Sequence, residues 1–252
     1  MDKELRSKII ELFEYRELPK LIAYGGQKWD EQFYEDLIQL QYDIYKLDHE
    51  LETNWKVDMS IIEARWKAIH KDLGVLGVSA SEYDKYSNHI YKYQKHEIGI
   101  RDGKLPTRLS MEYFYFYKSC DVKLLRKLIY DRNPELAKVI RTSEWRTFDL
   151  VTEINDDVVD LQEDTTTING NRFLISLLQF GKEKTVKIFN DFLDEMDVRN
   201  KALNVKSIEG VEFVEWTDTQ IKETKELVVS QAACVDDLDL GIYERHMGVG
   251  GI

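Results

Sequence analysis

The sequence predicts an all-α fold, and three observations carry that expectation. Apolar residues recur at spacings of three and four over most of the chain, which is the period of one helix face. Only 3 prolines and 13 glycines interrupt the 252 residues, so few positions are forced to end a helix. Only one stretch, 207–216 (SIEGVEFVEW), alternates in the manner of a strand, and it is read as loop and helix. One domain over residues 1–252, an antiparallel bundle of about eight to ten helices, is the simplest account.

The elements follow in order. The N-terminal MDKELRSKIIELFEYREL is amphipathic and carries several acids. It has neither the apolar core of a signal peptide nor the acid-poor bias of a transit peptide, so a cytoplasmic protein is expected. Phe33, Leu37, Leu40, Ile44, Leu47 and Leu51 form one helical stripe, which the Gly25-Gly26 pair opens. Trp55, Met59, Ile62, Trp66, Ile69 and Leu73 form a second, closed by GVLG at 74–77. A third helix is expected over 81–97 through Tyr83, Tyr86, Ile90 and Tyr93.

Pro106-Thr107 starts a further helix through Leu109, Tyr113, Phe116, Cys120 and Leu124, and Asn133-Pro134 ends it. From Pro134 the period resumes through Val139, Trp145, Phe148, Val151, Ile154, Val158 and Leu161. The stretch from Thr165-Thr166-Thr167 to Asn169-Gly170-Asn171 is a loop by composition. A helix is expected over 173–196 with a kink at Gly181, then terminal helices over 218–229 and 236–246 and a loose tail over 248–252.

Charge and motif content exclude several functions. With 35 basic and 47 acidic residues the net charge is −12, which disfavours nucleic acid and anionic membranes, since both attract cationic surfaces. No apolar run approaches the roughly 20 residues of a membrane span. Cys120 and Cys234 are too few for a disulfide framework and are expected to be buried thiols. His49, His70, His89, His96 and His246 show no HExxH spacing, and neither GxSxG nor a glycine-rich phosphate loop is present.

The segment DLVTEINDDVVDLQED at 149–164 is the most informative. Seven acids fall in sixteen residues, and no Lys or Arg lies between Arg146 and Arg172. Like charges a turn apart repel by about 0.2–0.5 kcal/mol each, so a cation is expected from outside this helix. Asp156, Asp160 and Asp164 follow one another at i, i+4 and i+8, with Asn155, Val159 and Glu163 in the adjacent row. Oxygen ligands in such a row suit Mg²⁺, which uses one or two carboxylates while bridging to phosphates. The alternative reading is a solvated acidic face.

Here the sequence resembles the class I isoprenoid synthases, the trans-prenyl diphosphate synthases and class I terpene cyclases. Asp156-Asp157-Val158-Val159-Asp160 reads as their DDxxD motif, and Asn155-Asp156 with Glu163 is similar to the cyclases' NDxxSxxxE metal triad, with Val159 in place of Ser or Thr. Lys118-Ser119-Cys120 resembles the Lys-Thr-Ala/Gly element that holds diphosphate and breaks a helix, and NGNRFLISLLQF at 169–180 resembles the loop and helix after the second aspartate motif.

The resemblance implies a single-domain isoprenoid synthase bundle around a central cavity, with Mg²⁺ as cofactor and an isoprenoid diphosphate as substrate. Asn155, Asp156, Asp160 and Glu163 would be metal ligands, and Arg108, Lys118, Arg172 and Arg245 would contact diphosphate. His246 stands where the family has a Tyr after the C-terminal Arg. The first half has no intact DDxxD. Asp43 and Asp48 are the acids placed for that role, with Asp30, Glu31, Glu35 and Asp36 as an alternative set. Tyr113, Phe114, Phe116 and Tyr117 would offer π faces to a carbocation, or simply pack in the core. The activity implied is that of a terpene synthase or cyclase. A prenyltransferase and a noncatalytic helical interaction protein are the alternatives, and a homodimer is the assembly left open.

Overall fold

The computed structural model describes residues 2–23, 29–205 and 207–235, and every regular element among them is helical. The α-helices are α1 (Lys3–Tyr15), α2 (Leu18–Ala23), α3 (Glu31–Thr53), α4 (Met59–Val75), α5 (Tyr83–Ile100), α6 (Met111–Lys118), α7 (Cys120–Arg132), α8 (Trp145–Val159), α9 (Leu161–Asp164), α10 (Arg172–Phe180), α11 (Lys182–Lys201) and α12 (Ile208–Ala233). Short 3₁₀ turns occupy Ala80–Glu82, Pro106–Arg108 and Pro134–Lys138. The all-α expectation is met. The pair Gly25-Gly26, the helix expected over 236–246, Arg245 and the tail lie outside the described residues.

The chain forms two compact units, Met1–Gln94 with Cys120–Lys138 and Lys95–Ser119 with Val139–Ile252. In the first, α3 is the central helix and packs against α1, α4 and α7. Its predicted stripe is its buried stripe, with Leu37, Leu40 and Leu47 fully enclosed. Asp30 caps it by accepting the Phe33 N–H at 3.0 Å. Pairing of Glu50 with Arg65 at 2.9 Å, and of Asp43 with Asp72 further along, makes α3 and α4 antiparallel. A cavity of about 70 Å³ opens beside Leu21, Phe33, Ile129 and Arg132.

In the second unit α8 is the central helix, with α6, α10, α11 and α12 against it. It is buried nearly all round over its first three turns, as a core helix must be. The Phe148 ring lies tilted at 4.1 Å from Trp216 of α12, and Trp145 lies 4.6 Å from Phe213. Helices α11 and α12 run antiparallel, since Asn200 bonds Asp218 while Lys225 pairs with Asp194.

Four expectations are corrected. The helix expected from Pro106 through Leu124 is a 3₁₀ turn, α6 and α7, because Ser110 caps α6 afresh at Tyr113 and the chain breaks again at Ser119. The pattern from Pro134 is interrupted over 139–144 before α8. The stretch 207–216 lies almost wholly in α12, capped by Ser207, and its apparent alternation is not a burial pattern, since Phe213 is buried while Val211 is exposed. Cys234 is exposed at the α12 terminus, whereas Cys120 is buried as expected.

The kink at Gly181 is a full break. Its backbone, φ 76° and ψ 170°, lies in a region that essentially only glycine occupies, and it separates α10 from α11. Gly181→Ala is therefore expected to cost about 1 kcal/mol, although an added Cβ would meet nothing within 4 Å. Thermal denaturation of that variant checks whether backbone strain alone is at work.

Candidate functional site

The chemistry-bearing residues of the second unit gather where α6 ends, α8 ends and α10 begins. On α6, Met111, Phe114, Tyr115 and Lys118 fall on one side by helical spacing, and that side carries the buried Met111, Phe114 and Tyr115. Lys118 reaches Asp157 of α8 in an ion pair whose carboxylate is fully enclosed, with about a fifth of the lysine side chain still exposed. Asp157 also accepts the Tyr115 hydroxyl at 2.8 Å and the Arg172 backbone N–H at 2.8 Å. The cation missing from the acidic helix is thus Lys118, supplied by α6.

Burial works against the Lys118 charge, but the carboxylates of Asp157, Glu153 and Asp164 outweigh it and hold its pKa above the ordinary value. Tyr115 is raised well above the ordinary phenol range, first by burial and then by the charge of Asp157. The hydroxyl therefore stays protonated and donates.

Beyond Asp157, Asp160 and Glu163 are exposed, while Asp164 is half-buried and turns back to the loop that follows it. Helix α8 ends at Val159 and Asp160 lies at the junction with α9. Asp160 has an exposed edge, yet protein shields its inner side. That desolvation, followed by the charges of Asp164 and Asp156, raises it to about 7. Asp164 is raised to about 6, chiefly by burial, with Lys118 and the amides of Asn171 and Asn169 working the other way. Asn171 donates at 2.7 Å to Asp164 and from the same amide at 2.6 Å to the Asp157 carbonyl, while its own Oδ1 caps α10 at Leu174. The 165–171 loop is thereby fastened to both acids. Gly170 suits it because an added Cβ would come within 2.8 Å of Glu97 Oε1 and 3.1 Å of Ile100.

The other predicted residues are placed as follows. Asn155 donates at 3.0 Å to Thr224 of α12, Asp156 is half-buried, and Glu163 is exposed. Arg108 is exposed on its 3₁₀ turn. Arg172 is buried, donates at 2.6 Å to the Pro106 carbonyl and lies 5.8 Å over Phe114. The aromatic run divides between faces: Phe114 is buried, whereas Tyr113 and Tyr117 lie 5.8 and 6.1 Å from His96, and Phe116 lies beneath Arg146 at 5.1 Å.

Asp43 and Asp48 belong to the first unit, both half-buried on α3. Asp43 accepts the Gln39 amide at 2.8 Å and faces Asp72 of α4, a buried acid with one oxygen lacking a donor. The alternative acids are tied into the fold: Asp30 to Arg132, Glu35 to Arg6, Glu31 to Trp29 and Asp36 to Gln32.

Tyr115, Asn171 and Asp72 were not singled out from the sequence. Tyr115 carried a usable signal, since it lies three residues before Lys118 on one helical face. Asp72 carried none, because its neighbour Asp43 lies 29 positions away on another helix.

Among the described residues no three His, Cys, Asp or Glu side chains converge as a ready-made metal cage, and no helix is long and apolar enough to cross a membrane. Compared with known proteins, the chain matches no protein-family model, no curated protein and no solved structure.

Proposed function

We propose that the chain is a Mg²⁺-dependent enzyme of the class I isoprenoid synthase type, a terpene synthase that ionises an isoprenoid diphosphate and releases the diphosphate. The observation that carries this reading is the run Asp156, Asp160 and Asp164 at one-turn spacing at the end of α8, where burial first, and then the charges of Asp164 and Asp156, raise the pKa of Asp160 to about 7. Such a row is stabilised by any cation that replaces the proton. Mg²⁺ fits it, because it needs only one or two protein carboxylates and completes its shell with waters and substrate phosphates. Asp156 and Asp160 would hold it, with Asn155 and Glu163 beside them, and Asp43 and Asp48 are the second acidic set of the proposal. When bound, the ion would act as a Lewis acid toward the leaving diphosphate.

The chain's own contribution is fixed positive charge. Arg108 is exposed and free to approach an anion, while Lys118 is held close by the acidic helix as an internal counter-charge. The break after Lys118 at Ser119 agrees with the helix-breaking element in the resemblance.

One observation favours a second reading, a noncatalytic helical interaction protein. Lys118 and Arg172 bond groups of the protein itself, Asp157 and the Pro106 carbonyl. Incubation with C10, C15 and C20 prenyl diphosphates and Mg²⁺, following inorganic diphosphate and organic products, separates the two. The enzyme reading expects diphosphate release that is lost in Asp156→Ala/Asp160→Ala. A hydrocarbon product indicates the synthase, and a product that appears only with an added acceptor indicates a prenyltransferase. Release that persists in the double variant removes the metal assignment, and no release from any substrate leaves the interaction protein.

A further inference from the structure

We propose that the cavity where α2 and α3 meet α7 is a binding site for a free amino acid with a short aliphatic side chain. Arg132 receives its carboxylate, Asp30 receives its ammonium, and Leu21, Ile22, Phe33 and Ile129 enclose its side chain. The site lies wholly in the first unit and shares no residue with the acidic end of α8.

The fold holds both charges at the mouth. Asp30 is the N-cap of α3: its Oδ1 accepts the Phe33 N–H at 3.0 Å, and its Oδ2 pairs with Arg132 at the end of α7. The Arg132 guanidinium lies over the Phe33 ring, 4.4 Å from its centre, where the negative π face attracts a cation. Each group keeps capacity for a ligand. A guanidinium has about five N–H donors and a carboxylate about four acceptor sites. Among the described residues, Arg132 donates from Nη2 to Asp30, and each Asp30 oxygen accepts a single bond. The two side chains are 51% and 36% exposed, so a ligand reaches them without entering a buried ion pair. An exposed pair adds little to stability, and the fold does not depend on keeping it closed.

The walls and the volume define the rest of the ligand. Leu21, Ile22, Phe33 and Ile129 are each at most 8% exposed, yet with the ion pair they line about 70 Å³ of open space. One water needs about 10–15 Å³ on this scale, so the cavity has room for about five groups of that size. Interiors seldom leave such gaps, because walls without partner atoms forfeit dispersion contacts. An aliphatic side chain restores them. The mouth selects by charge as well. A simple carboxylate would meet Asp30 and a simple amine would meet Arg132, each with repulsion, whereas a zwitterion satisfies both. Its Cα and a side chain of about three or four carbons then match the space. Glycine leaves the walls bare, and an aromatic side chain exceeds the volume.

Titration calorimetry and thermal denaturation of the full chain, with L-valine as probe, test the site. Saturable one-to-one binding is expected, with a Tm that rises with L-valine concentration. Glycine lacks the side chain, L-phenylalanine exceeds the volume, 3-methylbutanoate lacks the ammonium and 2-methylpropylamine lacks the carboxylate. Each is expected to bind at least about tenfold more weakly than L-valine. Arg132→Gln and Asp30→Asn are expected to weaken L-valine binding at least about tenfold with the ligand-free Tm within about 4 °C, since asparagine still caps α3 and the pair is exposed. Ile22→Phe, which fills the cavity, is expected to abolish binding, and if it does not fold the two polar variants decide. No binding of L-valine up to about 20 mM overturns the proposal. Binding that persists unchanged in both polar variants places the ligand elsewhere and overturns it too. A 3-methylbutanoate or 2-methylpropylamine affinity equal to that of L-valine overturns the zwitterion assignment.

Discussion

Replacing Lys118 by methionine is expected to be among the most damaging single changes in the chain. Methionine keeps the length of the apolar stem but removes the ammonium, leaving Asp157 fully enclosed with Glu153, itself buried, on the same face. Breaking a buried pair by removing one partner costs about 3–5 kcal/mol, because the remaining charge is desolvated without compensation. The lower end applies here. About a fifth of the Lys118 side chain is exposed, and Asp157 keeps the Tyr115 hydroxyl and the Arg172 N–H. A loss of about 3 kcal/mol corresponds to a Tm lower by roughly 6–12 °C for a chain of this size. The control is Lys118→Met/Asp157→Asn, in which both charges are gone and much of the loss should return. If the double variant is as unstable as the sum of the singles, the two side chains are not coupled and the pair is not what holds α6 to α8.

The same pair shows what could be read from the sequence and what could not. Helix stripes were legible because burial on one face leaves a periodic mark in the chain: Leu37, Leu40, Ile44, Leu47 and Leu51 are all enclosed on α3, together with Phe33, Ile38 and Gln41. The caps at Asp30, Ser110, Asn171 and Ser207 are local too, each side chain accepting an N–H three residues on, yet none was singled out from the sequence. The break at Ser119 was less legible, since the apolar period runs across it and only a resemblance suggested a discontinuity there. The acidic row was visible as seven acids without a neighbouring cation, and that pattern correctly required a positive charge from another helix. Its identity was a tertiary fact. Lys118 lies 39 positions from Asp157, and nothing in either segment names the other. Asp157 could be told from Asp156 only by helical phase, since it lies three residues after Ile154 and four before Leu161 of the apolar stripe and so falls on the buried side of α8, whereas the groups it binds there are decided by what packs against it.

Asp72→Asn is expected to stabilise the chain by an amount that grows from about pH 4 and is full above about pH 7. Asp72 lies on α4, 7% exposed, with one carboxyl oxygen lacking a donor, and it faces Asp43 of α3. Burial first, then the contact with Asp43 and the charges of Asp43 and Asp36, raise its pKa from 3.8 to about 7, against a smaller opposing effect of Lys71. The unfolded chain releases that proton near the ordinary aspartate value, while the folded chain keeps it to about 7. Stability from this group is therefore complete below about 4 and is lost as pH rises through about 7, because the folded state must then give up a proton it holds tightly. The full linkage is about 4 kcal/mol for such a shift, and water at the edge of the site reduces the expected gain to about 2 kcal/mol. An amide at this position carries no proton to lose and can donate to Asp43, so the Tm of Asp72→Asn should exceed that of the wild type at pH 8 and approach it at pH 5. A gain of equal size at both values would mean that packing, and not charge, is what the amide improves. A loss at pH 8 would mean that the ionised Asp72 has a cation in the folded chain, which addition of Mg²⁺ to the wild type would reveal as a rise in its Tm that the variant lacks.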